Sequence, residues 1–526
     1  MNGSQCKHRN LRKVGPFLGL LLSISVFGCG GSSGGSPAPS SPAPFDTAKG
    51  EGNLSSHQLI VTYPTETSGA QTALNTSYNQ TICPSALTTA ECTTNQNSLD
   101  TPAFGNFNVA SDPIGKNPLG IESIDAVKID YTAINVDQSA VQVSGGVLIP
   151  QVAPTSLKGI ILYFHGTTVT RSNVPSNFLT TANPVSAGAN TDSVLLAAVW
   201  ASQGYIVVMP DYIGLGDDTA GVHPYSTYPM QNAQSGLAML KAARTMLAEN
   251  FAIEGQLPLF LTGYSEGGAY ALEAEHLMQD NSRYASVLTV KLKEAAPLSG
   301  FYDLSGTGLP YLFDNVSTTN NNWFLLDPAV SAASKPYLMA DVGLSFANYS
   351  GVAPTDIFAS AFYNCGGGLP CGTTNNLDGL YYTQMQVPGY DSFVAVIAID
   401  QAQMTAWMID NNAITSLLTS TYATELMNQD QSNPLYAQLA AADTYLFVPK
   451  IPIVLVSLME DSVVTRKNSD VAFAYFTQQN PSGPYDEDLV DNNDFVASSL
   501  SVGPVDHTTE LPFLSVLVLN QFNTAP

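Results

Sequence analysis

Apolar residues along this chain gather in short unbroken runs. Gly159–Phe164 (GIILYF) and Tyr205–Pro210 (YIVVMP) are two of them, and a third begins at Pro258 and ends in the turn at Gly263. Val287–Leu298 reads as a further strand. Ile451–Met459 (IPIVLVSLM), bounded by Pro449 and two acids, has the β-branched composition of a strand buried on both faces. Earlier in the chain, Ile121–Asn135 and Val141–Pro150 alternate enough to predict an opening hairpin. Ser193–Ser202 and Met230–Asn250 suit helices packed on a sheet, as do Ala269–Met278 and the C-terminal Leu511–Phe522.

Two long segments break this rhythm. Asp46–Leu119 is rich in Thr, Asn and Ser and weakly periodic, and is expected to wrap the main domain. The stretch from about Ser299 to Phe447 is rich in aromatics, Trp323 and Trp407 among them. Most should form that segment's own core, and a minority should line an apolar pocket.

The N-terminus has a different character. Lys7, Arg9, Arg12 and Lys13 precede the apolar Val14–Phe27, a run too short to prefer spanning a membrane as a mature helix. Val26-Phe27-Gly28-Cys29 follows, similar to a bacterial lipobox despite the unusual Phe27, and Gly30–Pro44 is a flexible Gly/Ser/Pro/Ala tether. Residues 1–28 are therefore expected to be a signal peptide and 29–45 a lipid-anchor linker, with Cys29 lipidated. This makes the chain an exported lipoprotein at the outer membrane or cell surface, with simple secretion as the alternative.

Charge and cysteine narrow the function. The chain carries 18 Lys plus Arg against 43 acids, a net charge of −25 that becomes −29 without the leader's four basic residues. Nothing supplies a basic footprint, so nucleic acid is not an expected partner, and anionic substrates would be repelled. Beyond Cys6 and Cys29, four cysteines remain. In an oxidising compartment their spacing predicts disulfides Cys83–Cys92 and Cys365–Cys371. Neither pair has metal-site spacing with histidines, so no metal or other cofactor is expected.

The chemistry points to Gly263-Tyr264-Ser265-Glu266-Gly267-Gly268. A strand before this G-x-S-x-G, a helix after it and glycines at the tight flanks are the context of a nucleophile elbow. A serine needs a base, and six histidines allow elimination. His8 lies in the leader, His57 in the polar extension and His276 on the helix after the elbow, while His165 and His223 belong to loops. His507, before the C-terminal helix, remains. The base needs an orienting acid, and the candidates are Asp461 and Glu460 after the Ile451–Met459 strand, and Asp303 after the preceding one.

His165-Gly166, PDYIGLG from Pro210, His223-Pro224-Tyr225 and GYSEGG from Gly263, in this order and spacing, resemble the α/β-hydrolases, in their secreted bacterial and fungal lipase/esterase branch. The resemblance implies an α/β fold: a mostly parallel α/β-hydrolase sheet with helices on both faces, and an N-terminal extension (46–120). It also implies a core in two parts (121–298 and 448–526), with a lid or cap insertion (299–447) between strands 6 and 7. It favours Asp461 as the acid, through the form D-x-x-V, giving the chain order Ser265, Asp461, His507. The oxyanion donors would be the amides of Thr167 and Glu266. Asp211 and His223 look architectural. Two residues depart from the branch: Thr465 where proline is common, and Glu266 where glutamine is frequent, placing a charge beside the nucleophile. The implied activity is a serine carboxylester hydrolase, esterase or lipase, on a small-molecule, lipid or polymer ester with an apolar acyl or aryl part. A serine peptidase on the same fold and a non-catalytic surface binding protein are the alternatives.

Overall fold

The computed structural model describes residues 43–65, 73–101, 119–168, 171–183, 190–218, 222–314, 323–359, 417–497 and 503–525. Among them, nine strands build one sheet. They are β1 (Leu54–Pro64), β2 (Ser123–Ile134), β3 (Ala140–Pro150), β4 (Gly159–Phe164), β5 (Tyr205–Pro210), β6 (Leu257–Tyr264), β7 (Val290–Leu298), β8 (Ile453–Leu458) and β9 (Tyr485–Val490), in the order β1-β2-β3-β5-β4-β6-β7-β8-β9. The first three and the β3–β5 pair are antiparallel, and every pairing from β5 through β4 to β9 is parallel. The strand order crosses over at β4, which puts the C-terminal ends of β4 and β6 side by side. In open α/β sheets that end is where ligands bind.

The apolar runs explain the layering. In β4, Ile161 and Tyr163 face one side, where α3 (Thr191–Val199), Trp200 and the C-terminal helix Leu511–Thr524 pack. Ile160, Leu162 and Phe164 face the other, against α4 (Pro229–Phe251), α5 (Glu266–Asp280) and Ala472 and Phe476 of the helix Lys467–Gln479. Both faces are covered, so β4 and β5 are apolar throughout, and fully burying each large side chain contributes about 1.5–3 kcal/mol.

Two strands of this sheet went unanticipated, and both are its edges. β1 lies within Asp46–Leu119 and reads LSSHQLIVTYP, mostly exposed. β9 reads YDEDLV at the opposite edge. Edge strands meet water and are often charged, so they lack the unbroken apolar signal of the interior strands. The same N-terminal region supplies α1 (Ala73–Ile82) and α2 (Thr89–Leu99), joined by the Cys83–Cys92 disulfide and packed through Tyr78, Ile82 and Leu99 on the α3 face. Cys29, Cys365, Cys371 and Trp407 lie outside the described residues.

Between β7 and β8, helices Leu309–Phe313, Pro328–Ser350, Ser420–Met427 and Pro434–Ala441 gather around Tyr311, Leu338, Phe346, Phe358, Leu426 and Leu435. This third core also takes in Tyr225, Val463 and Val464, so the inserted helices pack on the loop that follows β8. Trp323 belongs to its margin. Its ring meets Tyr311 edge-on at 5.5 Å, and the Lys467 ammonium lies 4.1 Å from its centroid.

Candidate active site

β6 delivers Ser265 at its C-terminal end. The residue has φ 56° and ψ −121°, a backbone conformation costly for a non-glycine residue, and it is 5 % exposed. Its amide donates to the Leu298 carbonyl at 2.9 Å, and its carbonyl accepts from the Gly268 amide at 2.9 Å, so the turn is held on both sides. The flanking glycines are there for space. A Cβ on Gly263 would strike the Gly267 backbone, and one on Gly267 would strike the backbone of Phe164 and His165.

β8 delivers the acid. Oδ1 of Asp461 accepts from the amides of Val463 (2.8 Å) and Val464 (2.7 Å), which leaves Oδ2 aimed elsewhere in a fully buried site. That oxygen lies 2.8 Å from Nδ1 of His507, and His507 Nε2 lies 2.8 Å from Ser265 Oγ. The adjacent Glu460 is fixed through its backbone, with its amide donating to Asn492 at 2.8 Å. Asp303 caps the turn after β7, accepting from the Gly306 amide (3.1 Å) and the Thr307 hydroxyl (2.6 Å). Among the three acids weighed from sequence, Asp461 is the one brought to His507.

His507 opens a short 3-10 turn, His507–Thr509, capped by Asp506, whose Oδ1 accepts from the His507 amide (2.7 Å) and the Ser462 amide (2.9 Å). The Tyr264 ring stacks on the imidazole at 5.0 Å, and its hydroxyl donates to the His507 carbonyl. Burial alone would lower the imidazole's affinity for a proton. The charge and hydrogen bond of Asp461, with Glu510 and Asp506 behind it, outweigh burial and raise the pKa to about 9. Burial also raises Asp506, assisted by the charge of Asp461.

Glu266 needs a correction. Its side chain is fully buried, 2.7 Å from His223 Nε2 and bonded to the Tyr270 hydroxyl. Its Oε1 is therefore engaged by His223 and Tyr270 rather than standing free beside Ser265. As the first residue of α5 it has no intrahelical acceptor for its amide. His165, Tyr212 and His223 form a stack below it, with centroid distances of 4.0 and 5.4 Å. Burial pushes His165 down to about 4, so the ring is neutral and its Nδ1 donates to the Gly166 carbonyl at 2.7 Å. Asp211 is bound by the hydroxyls of Ser144 (2.6 Å) and Ser176, and burial pushes it up to about 6. These groups brace the turn after β4 that carries Gly166 and Thr167. The Thr167 hydroxyl lies 3.5 Å from that of Tyr225.

Sequence reading passed over Glu510. It lies three residues after His507, fully buried, with Oε1 3.6 Å from His507 Nδ1. Donor atoms of Asp461, His507 and Glu510 fall within 4.8 Å of one another. Both imidazole nitrogens of His507 are already committed, to Asp461 and Ser265.

The chain is similar to known hydrolases in two ways. The model of the secretory lipase family matches residues 180–292. Among solved structures, a candidate hydrolase of Legionella pneumophila aligns at 20 % identity with a TM-score of 0.60, covering 90 % of this chain and 98 % of its own. The rice cell wall degrading esterase of Xanthomonas oryzae aligns at 19 % identity and TM-score 0.57 with the same coverage. Candida antarctica lipase A in its closed state aligns at 14 % identity and TM-score 0.50, covering 93 % of this chain and 86 % of its own. A search of curated proteins finds no significant match. The open, mostly parallel sheet is thus an α/β-hydrolase fold, and residues 180–292 within it are similar to the secretory lipases.

Proposed function

We propose that the protein is an exported serine carboxylester hydrolase working through an acyl-enzyme. Ser265 Oγ attacks the ester carbonyl while His507 Nε2 takes its proton, and Asp461 fixes the tautomer that leaves Nε2 free to do so. The amides of Thr167 and Glu266 stabilise the oxyanion. His507 then protonates the leaving alcohol, and water resolves the acyl-enzyme by the reverse path. The observation that carries this reading is the hydrogen-bonded line Asp461–His507–Ser265, two contacts of 2.8 Å ending on a serine in an elbow conformation.

Apolar acyl or aryl esters are the proposed substrates, with the inserted helices between β7 and β8 acting as a cap that supplies the pocket. The solved relatives act on plant cell wall in one case and carry the name lipase in another, so cell-wall, aryl and lipid esters form the first panel to assay. Export with a lipid on Cys29 is proposed from the leader. Among the described residues, no helix is long and apolar enough to cross a membrane.

The test is turnover of p-nitrophenyl esters and aminoacyl amides by wild type and Ser265→Ala. Ester cleavage that falls by about 10³-fold or more in a folded variant is expected. Preferred amide cleavage would favour a peptidase. An inert wild type would favour a binding protein.

A further inference from the structure

Behind the imidazole of His507 stand two carboxyls where the proposed reaction uses one. Asp461 makes the 2.8 Å bond to Nδ1, and Glu510 Oε1 waits 3.6 Å from the same nitrogen. Neither Glu510 oxygen makes a well-formed hydrogen bond, although the side chain is fully buried, and the nearby buried Ser299 hydroxyl is the neutral group that favours its charged form. An unsatisfied buried carboxyl is costly, and apolar residues usually fill such positions. We propose that Glu510 is a positioning residue for His507, a reserve acid that accepts the Nδ1–H bond whenever Asp461 does not.

The surroundings explain why it stays in reserve. Groups acting on Glu510 include Asp461 from the loop after β8, and His507 and Asp506 from its own segment, with Ser299 after β7. Tyr264 on β6 and Tyr302 also feel its charge. Burial is the largest influence and pushes the carboxyl well above the ordinary carboxylate range, and the negative Asp461 adds to the rise, whereas His507 and Ser299 oppose it. Glu510 also stands at the start of the helix Leu511–Thr524, an end that favours negative charge. With Asp461 present, a second anion beside it is suppressed. With Asp461 gone, one source of suppression goes too, and Glu510 gives up its proton to solvent as pH rises and takes the Nδ1–H. No bond to substrate is involved, so the role is orientation of the base.

This inference rests on the proposed triad, and its test separates the two. Asp461→Ala, Glu510→Gln and the double variant are compared with wild type for kcat/KM on one p-nitrophenyl ester across pH, with Ser265→Ala as the blank. Loss of a triad acid ordinarily costs about 10⁴-fold. Asp461→Ala is expected to lose only about 10²-fold and to recover activity with rising pH, and adding Glu510→Gln should remove about 10²-fold more together with that pH rise. Glu510→Gln alone should cost far less than the same change made in Asp461→Ala, because Asp461 already holds the Nδ1–H in the wild type. A Glu510 that merely fills space would change the melting temperature and leave the Asp461→Ala pH profile flat, which overturns the proposal. Equal rates for Asp461→Ala and the double variant at every pH overturn it as well. If the double variant fails to fold by circular dichroism, the rising or flat profile of Asp461→Ala decides. Full turnover by Ser265→Ala would sink the triad and this inference with it.

Discussion

Ser265 and His507 are the residues on which the proposed chemistry turns, and the sequence singles out both for physical reasons. A serine between glycines at a strand–helix junction has few structural uses, and elimination left one histidine beside a C-terminal helix. Glu266 was misread because its partners His223 and Tyr270 come from other parts of the fold and pull the carboxylate inward. Glu510 was passed over although it stands one turn from His507, because a lone acid before an apolar helix looks like an ordinary N-terminal acid. Two outcomes belong to this scale. Gly267→Ala should abolish activity and destabilise the fold, since its Cβ meets backbone that cannot yield; a stable, active variant in a melting and rate assay would contradict the elbow geometry. His507 acts as a base only when unprotonated, and its surroundings raise it from 6.5 to about 9. The kcat/KM profile should therefore climb through an inflection above the ordinary histidine range. The same shift stabilises the fold fully below about 6.5 and ceases to do so as pH rises through about 9. An inflection below 6.5 would mean that Asp461 does not charge-stabilise the imidazole.

At the scale of elements, the interior of the sheet was readable and its margins were not. β4 and β5 are covered on both faces and are apolar throughout, whereas β1 and β9 are edges whose polar and acidic residues look like loop. The inserted helices show the same limit: their aromatics announced a core, but which of them would face the acid loop depends on tertiary packing. Tyr311 does so, its hydroxyl donating to the Ser462 carbonyl at 2.7 Å beside Asp461. Tyr311→Phe should therefore lower kcat more than it raises KM by loosening that loop, and unchanged kinetics would show the loop to be held by Asp461's own amide bonds. Trp323 truncation should shift preference between short and long acyl chains by several-fold, since one buried methylene contributes about 0.8 kcal/mol. Its position against Tyr311 and Lys467 at the cap margin makes a uniform loss across chain lengths the contrary result. Reduction of Cys83–Cys92 should loosen α1 and α2 by about 2–3 kcal/mol in the chain-entropy view, with the sheet spared. Hydrogen exchange that rises in β4–β8 instead would place the disulfide's role elsewhere.

For the whole molecule, the proposal is an exported ester hydrolase, and the net charge of −25 would favour its solubility. Anchoring through Cys29 has a direct outcome: Cys29→Ser should move the protein from the membrane fraction to the medium or periplasm, and an unchanged distribution would remove the lipid from the account. The strand order gives the fold, residues 180–292 give the similarity to secretory lipases, and the line from Asp461 through His507 to Ser265 is what turns that fold into a proposed enzyme. The most direct measurement of that claim is covalent labelling of the folded protein with a fluorophosphonate, followed by peptide mass mapping. The account predicts one adduct per chain, on Ser265, absent from His507→Ala. An unlabelled wild type, or an adduct on another serine, would contradict it.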